Sequence, residues 1–483
     1  MELGKLLDGV AILETNAPMD MEPDGISYDS RTTKAGDLFL AITGYAADGH
    51  RFIPMAADKG ASVVVCERRP ERDIPYVRVE STRAALAAIG ANWFGRPAEK
   101  MTMIGVTGTN GKTTITYLLK TVLEQTLGAK VGLIGTIQNM IGDEVVPTER
   151  TTPESFELQA LFARMYAAGC THVIMEVSSH ALALHRTDGI PFRIGIFTNL
   201  TEDHLDFHKS MTDYCDAKAM LFRQCETGVL NLDDLYYERI RRQAACRITT
   251  YSVKDNAANL VAKNIRMKSD RVETDVVTGN DISRAELHIP GAFSVYNALA
   301  VIQAALELGI PLHAVTDALR QAAGVKGRVE VVPTPDRPYT ILIDYAHTPD
   351  SLENVLKTVR GFCKGRVIAV FGCGGDRDPF KRPIMGKIAA ELADYCVVTS
   401  DNPRTEDPDA ILAQIVAGMD GAEGRYTVIE NRVKAIGWAM EHAKQDDIIV
   451  LCGKGHETYQ EIGHEKRHLD EREVVASYLE SGI

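Results

Sequence analysis

Short apolar runs alternate along the chain with longer stretches in which apolar residues return every third or fourth position. The first pattern predicts buried strands and the second amphipathic helices. Their regular succession predicts an α/β protein with mostly parallel sheets. Runs at 37–42 and 61–66 bracket a helical stretch at 52–59, and a second helix over 81–94 ends at Gly95-Arg96-Pro97. Strands follow at 101–106, 130–137, 172–177 and 192–197, with helices over 115–127, 154–168 and 214–222. Strands near 228–231 and 247–251 extend that sheet. Residues 257–290 read as β-rich hairpins, and helices open at Ser294 and run over 311–322. Beyond 340 the alternation is regular, with strands near 340–345, 366–371, 395–399, 426–430 and 447–452 and helices such as 351–362 and 410–419. That part predicts a doubly wound, Rossmann-like sheet.

The 483 residues leave room for three domains, and the pattern puts them at 1–98, 99–325 and 326–483, with Gly327-Arg328-Val329-Glu330 as the second hinge. The first is an α/β domain, the second a P-loop-type ATPase domain with a mostly parallel sheet, the third the doubly wound one. The net charge of −13 argues against nucleic acid or an anionic membrane as the main partner, but local basic loops can still take an anionic small molecule. The nine cysteines are odd in number and scattered, with no Cys-x-x-Cys pair. They suggest reduced cytosolic thiols rather than disulfides or structural zinc. Cytoplasmic location and no membrane insertion are expected, because no basic-then-apolar leader and no bilayer-length apolar run occur.

Candidate chemistry gathers at predicted strand ends. Residues 105–114, Gly-Val-Thr-Gly-Thr-Asn-Gly-Lys-Thr-Thr, join a strand to a helix. A glycine loop there can wrap backbone N–H groups around phosphates, and the helix N-terminus adds positive potential. Lys112 would reach the outer phosphates and Thr113 would hold magnesium. The usual loop has glycine where Val106 stands, so a generic P-loop motor fits less well than a relative with a shorter pattern. Glu176 ends an apolar strand, where a carboxylate is costly unless paired or metal-bound. Magnesium takes carboxylates together with phosphates and water, so Glu176 is a candidate ligand; the plainer alternative is a partly exposed strand-end acid. His204 stands among Glu202, Asp203 and Asp206 at another strand's carboxyl end, where open α/β sheets place ligands. Lys218 lies among apolar neighbours and reads, by itself, as a lysine snorkelling from a half-buried helix. Tyr28-Asp29-Ser30-Arg31 offers polar groups and a fixed cation for a phosphorylated or sugar ligand, or makes only a turn.

Four polar loops of the third domain, 344–350, 372–378, 401–404 and 453–457, also fall at strand ends. Turn formation accounts for their Gly and Pro but not for Arg377, Arg404 and Glu457. Both charge signs together suit a zwitterionic ligand; solvated loop charge is the alternative. Asp344 is similar to the strand-end Asp of a P-loop ATPase but belongs to another domain, so it is expected to approach the nucleotide across a cleft.

Four segments together resemble the Mur ligase family over essentially the whole chain. They are Gly108-Thr109-Asn110-Gly111-Lys112-Thr113-Thr114, Glu176-Val177-Ser178-Ser179-His180, Asn199-Leu200-Thr201-Glu202-Asp203-His204 and Asp344-Tyr345-Ala346-His347-Thr348-Pro349. The resemblance implies an ATP- and Mg2+-dependent acid–amino-acid ligase of peptidoglycan synthesis, hence of cell-wall biogenesis, cell shape and division. Asp401-Asn402-Pro403-Arg404 is similar to the family's signature for meso-2,6-diaminopimelate. It implies addition of that amino acid to UDP-N-acetylmuramoyl-L-alanyl-D-glutamate through an acyl phosphate. A lysine-adding relative or a folylpolyglutamate-type ligase is the alternative.

Residue roles follow from the same resemblance. Gly108 to Thr114 would hold the ATP phosphates, and Asn297, Arg328 and Asp344 its base and ribose side. Tyr28, Ser30, Tyr45, Ala46 and Ala47 would hold the uridine diphosphate end; Thr151, Thr152, Ser178 and Arg186 the muramoyl-dipeptide. Thr113 and Glu176 would serve one magnesium and His204 a second. Lys218 matches a lysine that is N-carboxylated in relatives and so becomes an anionic magnesium ligand. Arg377, Asp401, Asn402, Pro403, Arg404, Gly453 and Glu457 would hold diaminopimelate. The implied catalytic set is Lys112, Lys218, His204 and Glu176. One departure is Leu184, two residues before Arg186, where relatives can carry Gln. A monomer and domain closure around the substrates are expected. A reading of another class, a P-loop ATPase that switches a partner, predicts a strict phosphate loop and a Walker-type Asp on the same sheet, and neither is evident.

Overall fold

The structure, a computed structural model, describes all residues except Tyr45, Ala46, Glu149, Asp206, Asn280, Ala323, Gly482 and Ile483. The contacts expected of Tyr45 and Ala46 therefore lie outside the described residues. The chain divides into two units, residues 1–251 with 303–309 and residues 252–302 with 310–483.

The first unit begins with a sheet of β1 (Ile12–Thr15), β2 (Gly25–Ser27), β3 (Asp37–Leu40), β4 (Val63–Cys66) and β5 (Tyr76–Val79), in the order β1-β5-β4-β3-β2. Only the β1–β5 pair is antiparallel. β3 and β4 are buried throughout, as continuous apolar runs in a covered parallel sheet must be. β1, β2 and β5 carry no such run and are made strands by their partners. Helix Thr82–Trp93 starts where Ser81 Oγ accepts the Ala84 N–H.

A second sheet follows, from β6 (Thr102–Thr107), β7 (Val131–Ile134), β8 (Asn139–Ile141), β9 (Glu144–Val146), β10 (His172–Glu176), β11 (Phe192–Phe197), β12 (Cys225–Asn231) and β13 (Arg247–Ser252). Their order is β13-β12-β11-β6-β10-β7-β8-β9. The strands from β13 to β7 are parallel, and β7, β8 and β9 pair antiparallel. The expected strand 130–137 thus stops at Ile134, and a tight turn at Gly142 (φ 61°) makes an unanticipated hairpin. From β6 the chain crosses to β7, returns to β10 beside β6, then passes to β11 on β6's other side. Glu176 lies opposite Val106 and Phe197 opposite Thr107. The carboxyl ends of β6, β10 and β11 therefore meet at the point where strand order reverses, the usual ligand position of such sheets.

In the second unit β14 (Leu260–Met267), β15 (Val272–Thr278) and β16 (Ile282–Leu287) pair antiparallel, as the hairpin pattern predicts. A separate sheet holds β17 (Glu330–Val332), β18 (Thr340–Asp344), β19 (Val367–Phe371), β20 (Tyr395–Val398), β21 (Tyr426–Val428) and β22 (Ile448–Cys452), in the order β17-β18-β22-β19-β20-β21. All but β17 run parallel. Placing β22 between β18 and β19 lines up the loops after Asp344, Cys452, Phe371 and Val398. The hairpin of β23 (Tyr459–Ile462) and β24 (Glu465–His468) and helix Glu471–Glu480 end the unit. No helix among the described residues is long and apolar enough to cross a membrane.

One ion pair anchors those loops. Arg432 and Glu471 are wholly buried; Arg432 Nε donates to Glu471 Oε1 at 2.8 Å, and its two terminal nitrogens donate to Ser400 O (3.3 Å) and Cys452 O (2.7 Å). Burial pushes the Glu471 carboxyl up, and the Arg432 charge opposes that shift. Arg432→Met leaves Glu471 buried and unpaired, a loss of about 3–5 kcal/mol at neutral pH. An acid whose folded value is raised contributes stability below its unfolded value, and that contribution is lost as pH rises through the folded one. The gap between variant and wild type in urea midpoint should therefore widen from pH 5 to pH 8; a gap that stays constant would contradict this account.

Candidate active site

The phosphate loop is held from behind by the segment after β11. Asn199 O accepts the Thr109 N–H at 2.8 Å and Asn199 Oδ1 accepts the Asn110 N–H at 3.1 Å. Thr198 Oγ1 donates to Asn110 O at 2.6 Å. Gly108 has φ 144°, and a Cβ there would lie 1.9 Å from Thr198 Oγ1, so only glycine lets the loop lie this close. Gly111 (φ 89°) then opens helix Lys112–Leu127, which buries Ile115, Leu118, Leu119, Val122 and Leu123. A helix leaves its first N–H groups without intrahelical acceptors, and here these belong to the loop itself. Lys112 Nζ donates to Gly108 O (2.9 Å) and Thr109 O (2.8 Å). Val106 is fully buried opposite Glu176 and belongs to strand β6, so the glycine loop begins only at Gly108.

Glu176 is completely buried at the end of β10, not partly exposed. Its carboxylate accepts from Thr113 Oγ1 (3.0 Å), Thr136 N (2.9 Å) and Thr136 Oγ1 (2.9 Å). Thr136 Oγ1 is also 3.1 Å from Thr151 Oγ1, while Thr152 Oγ1 donates to the Glu176 carbonyl at 2.8 Å. Ser178 caps helix Ser179–Ala183 and its N–H donates to Thr152 Oγ1 at 3.2 Å; Arg186 Nη1 donates to Thr152 O at 3.1 Å. The residues expected to hold metal and those expected to hold the acid substrate are thus joined through Thr136. No sequence signal singled it out, since a threonine after a strand is ordinary. Thr113 and Glu176 are hard oxygen donors side by side, a set that fits magnesium.

Lys218 corrects the snorkelling reading. It lies on helix Met211–Ala219 and is about 1% exposed; its Nζ donates to Gly108 O at 2.8 Å and stands 4.5 Å from the centre of the Tyr214 ring. Burial holds its pKa far below that of an ordinary lysine, and the Lys112 charge pushes the same way. As an amine it is no magnesium ligand; as an N-carboxylate it would be. His204 (φ 55°) is half exposed, packs edge-on to His180 at 4.9 Å and lies 6.1 Å from the Tyr214 ring. Among the described residues no group of three or more His, Cys, Asp or Glu is arranged to hold a metal, so Thr113 with Glu176 is the only expected metal pair in mutual contact.

A cavity of about 1250 Å³ opens in the same unit, lined by Tyr28, Ser30, Ala47 and Arg186 among the expected substrate residues, and by Leu184. Arg83, Glu154 and Glu157 line it too and were not anticipated. Arg83 Nη1 and Arg186 Nε both approach Glu154 Oε2, at 3.5 and 3.3 Å, and Tyr28 OH donates to Glu157. Burial lowers the Arg186 pKa and raises that of Glu157.

In the second unit Asp344 accepts from Val329 N and Ala346 N, each at 2.9 Å, and burial raises its pKa. The Arg328 guanidinium lies 5.7 Å from the Tyr345 ring centre; Arg328 Nε and Asn297 Nδ2 are buried without a hydrogen-bond partner. The loops after β19, β20 and β22 do converge. A Cβ on Gly374 would lie 3.0 Å from Arg404 Nη1 and 3.8 Å from Arg377 Cγ. Gly453 (φ 110°) has no room for a Cβ, which would meet Asp401 Oδ2 at 2.3 Å, and that oxygen is buried without a partner. Pro403 and Asn402 are buried, whereas Arg377 is exposed. Glu457 Oε2 accepts from Asn402 Nδ2 (3.0 Å) and from the wholly buried Lys454 Nζ (2.8 Å).

Family profiles match three parts of the chain: the Mur ligase family catalytic domain over residues 22–93, the Mur ligase middle domain over 106–305, and the Mur ligase glutamate ligase domain over 327–455. The chain is 46% identical over 482 residues to UDP-N-acetylmuramoyl-L-alanyl-D-glutamate–2,6-diaminopimelate ligase 1 of Clostridium acetobutylicum, with 99% of each chain covered. It is 47% identical over 464 residues to the ligase of the same name in Clostridium botulinum, with 95% of each covered. A solved structure of a UDP-N-acetylmuramoyl-L-alanyl-D-glutamate–2,6-diaminopimelate ligase superposes with a TM-score of 0.75 at 31% identity, covering 100% of this chain and 99% of that one.

The close approach at Gly108 gives a direct test of the loop. Gly108→Ala forces Thr198 and the loop apart, and magnesium–ATP affinity measured by calorimetry should fall about tenfold or more. Affinity unchanged in that variant would mean the loop does not hold the phosphates.

Proposed function

The chain belongs to the Mur ligase family, and from that premise we propose that it joins meso-2,6-diaminopimelate to UDP-N-acetylmuramoyl-L-alanyl-D-glutamate at the expense of ATP, in cytoplasmic peptidoglycan precursor synthesis. The full-length likeness to two ligases of that name supports the substrates. The three matched spans support a division into 1–98, 99–325 and 326–483. The observation that carries the reading is the continuous chain of contacts Thr113–Glu176–Thr136–Thr151, which ties the phosphate loop to the substrate loop.

The reaction needs an activated acyl group. The γ-carboxylate of the D-glutamyl residue attacks the γ-phosphorus of ATP, giving an acyl phosphate and ADP. The diaminopimelate amine then attacks the acyl carbon, and phosphate leaves from the tetrahedral intermediate. No covalent nucleophile is required; position and charge compensation suffice. Gly108 to Thr114 cradle the phosphates, and Lys112 turns from the Gly108 and Thr109 carbonyls to the transferring phosphoryl group. Thr113 and Glu176 would hold magnesium, which would supply further neutralisation of phosphate charge. Burial favours the amine form of Lys218, which would take up CO2 with loss of a proton to become an anionic oxygen ligand for magnesium beside the loop, and His204 would serve a second ion. Asn297, Arg328 and Asp344 hold the base and ribose side of ATP. The cavity holds the uridine diphosphate sugar through Tyr28, Ser30 and Ala47, Tyr45 and Ala46 are assigned to the same end of that substrate, and Thr151, Thr152, Ser178 and Arg186 hold the dipeptide. Leu184 offers that dipeptide an apolar contact only. Arg377, Arg404, Asp401, Asn402, Pro403, Gly453 and Glu457 hold the amino acid, Arg404 and Arg377 on carboxylate and the buried Asp401 oxygen beside ammonium.

Phosphate release should require both UDP-muramoyl-dipeptide and diaminopimelate, and lysine in its place should give little turnover. Equal turnover with lysine would overturn the assignment of the 401–404 loop. Lys218→Ala should remove most activity without rescue by added bicarbonate; an active Ala variant would remove the carboxylated lysine from the mechanism.

A further inference from the structure

Lys454 has no part in the roles above, yet it is the most completely enclosed cation of the amino-acid loops. Its side chain is 0% exposed. Its Nζ donates to Asn402 Oδ1 at 2.7 Å and to Glu457 Oε2 at 2.8 Å, and lies 5.3 Å from the Tyr459 ring centre. Asn402 returns the link, donating from Nδ2 to the same Glu457 oxygen at 3.0 Å and accepting Glu461 N–H at Oδ1 at 2.9 Å. Glu461 in turn accepts from Arg404 Nε at 2.9 Å. One ammonium therefore ties the loop after β20, the loop after β22 and strand β23 into one network.

The network also sets the charge of the pocket. Lys454 cancels Glu457, and Glu461 cancels Arg404. Of the charged residues assigned to the amino acid, those that keep no ion-pair partner among the described residues are Asp401, with one carboxylate oxygen buried and unpartnered, and the exposed Arg377. That remainder is balanced, and it matches an amino-acid terminus carrying both ammonium and carboxylate. A terminus with an ammonium alone leaves Arg377 without an anion.

We propose that Lys454 is a positioning residue that sets specificity: by neutralising Glu457 and fixing the Asn402 amide, it makes the pocket select a zwitterionic side-chain terminus over a purely cationic one. This rests on the diaminopimelate reading. Removing the ammonium makes the pocket one charge more negative and favours lysine; removing the Glu457 charge does the opposite and favours a terminus with carboxylate alone.

The test measures kcat/KM for meso-diaminopimelate, lysine and 2-aminopimelate in the full-length enzyme. Lys454→Met should lower the diaminopimelate-to-lysine preference about tenfold while KM for ATP and for the UDP-linked substrate stays within about twofold. Glu457→Gln should move preference toward 2-aminopimelate. The double variant K454M/E457Q, neutral again, should lose the gain for lysine. Glu457→Gln alters a part-exposed side chain and reads the same balance even where Lys454→Met yields little folded protein. A uniform loss for all three amino acids in every variant, with the preferences unchanged, overturns the proposal. Wild-type enzyme that fails to use diaminopimelate at all overturns the functional reading instead.

Discussion

A carboxylate with no exposure to water at the end of a central strand is the constraint around which the first unit is arranged. Glu176 is carried to that position by the parallel register of β10 with β6 and β7. Leaving it there without donors would cost several kcal/mol. Its three donors come from two different places, the first turn of helix Lys112–Leu127 and the turn after β7. Satisfying one acid therefore pins the phosphate loop and, through Thr136, the loop that begins at Thr151. Thr152 reinforces this by bonding the Glu176 carbonyl, so side chain and main chain of one residue organise both halves of the site.

The same economy governs the cations. Two lysines, Lys112 and Lys218, donate to the single Gly108 carbonyl, so both side-chain nitrogens stand at the phosphate loop. Burial disfavours the charged form of Lys218. In the second unit the opposite solution appears: charges are buried as pairs. Arg432 with Glu471 holds the carbonyls next to Asp401 and Gly453, and Lys454 with Glu457 locks the loops those residues begin. Paired burial makes the loop geometry rigid and leaves chosen groups, such as Asp401 Oδ2, for a ligand.

Much of this was legible in the chain because the informative signals are local. The strands of the parallel sheets are continuous apolar runs, and burial on both faces demands that pattern wherever the strands end up. Residues 105–114 spell a strand, a glycine loop and a helix start within ten positions, so their chemistry needs no partner to be recognised. Short strands such as β1 and β2, the β8–β9 hairpin and the helix after Ser178 were not legible, since a few residues without periodicity become regular only when a neighbour supplies their hydrogen bonds.

By itself the sequence determined the α/β class, the phosphate loop, and the acid, histidine and arginine residues that mark the strand ends. Only the tertiary structure decided which of them touch. Lys218 was half-buried by its helix pattern and is fully buried in fact: Gly108, 110 residues away in sequence, receives its Nζ, while Tyr214 packs against it from one turn earlier on the same helix. Thr136, Arg83 and Lys454 were invisible for the same reason: a threonine, an arginine or a lysine carries no sign of its partner, and the free energy that gives each its role comes from burial beside a group that the fold, not the local chain, brings near.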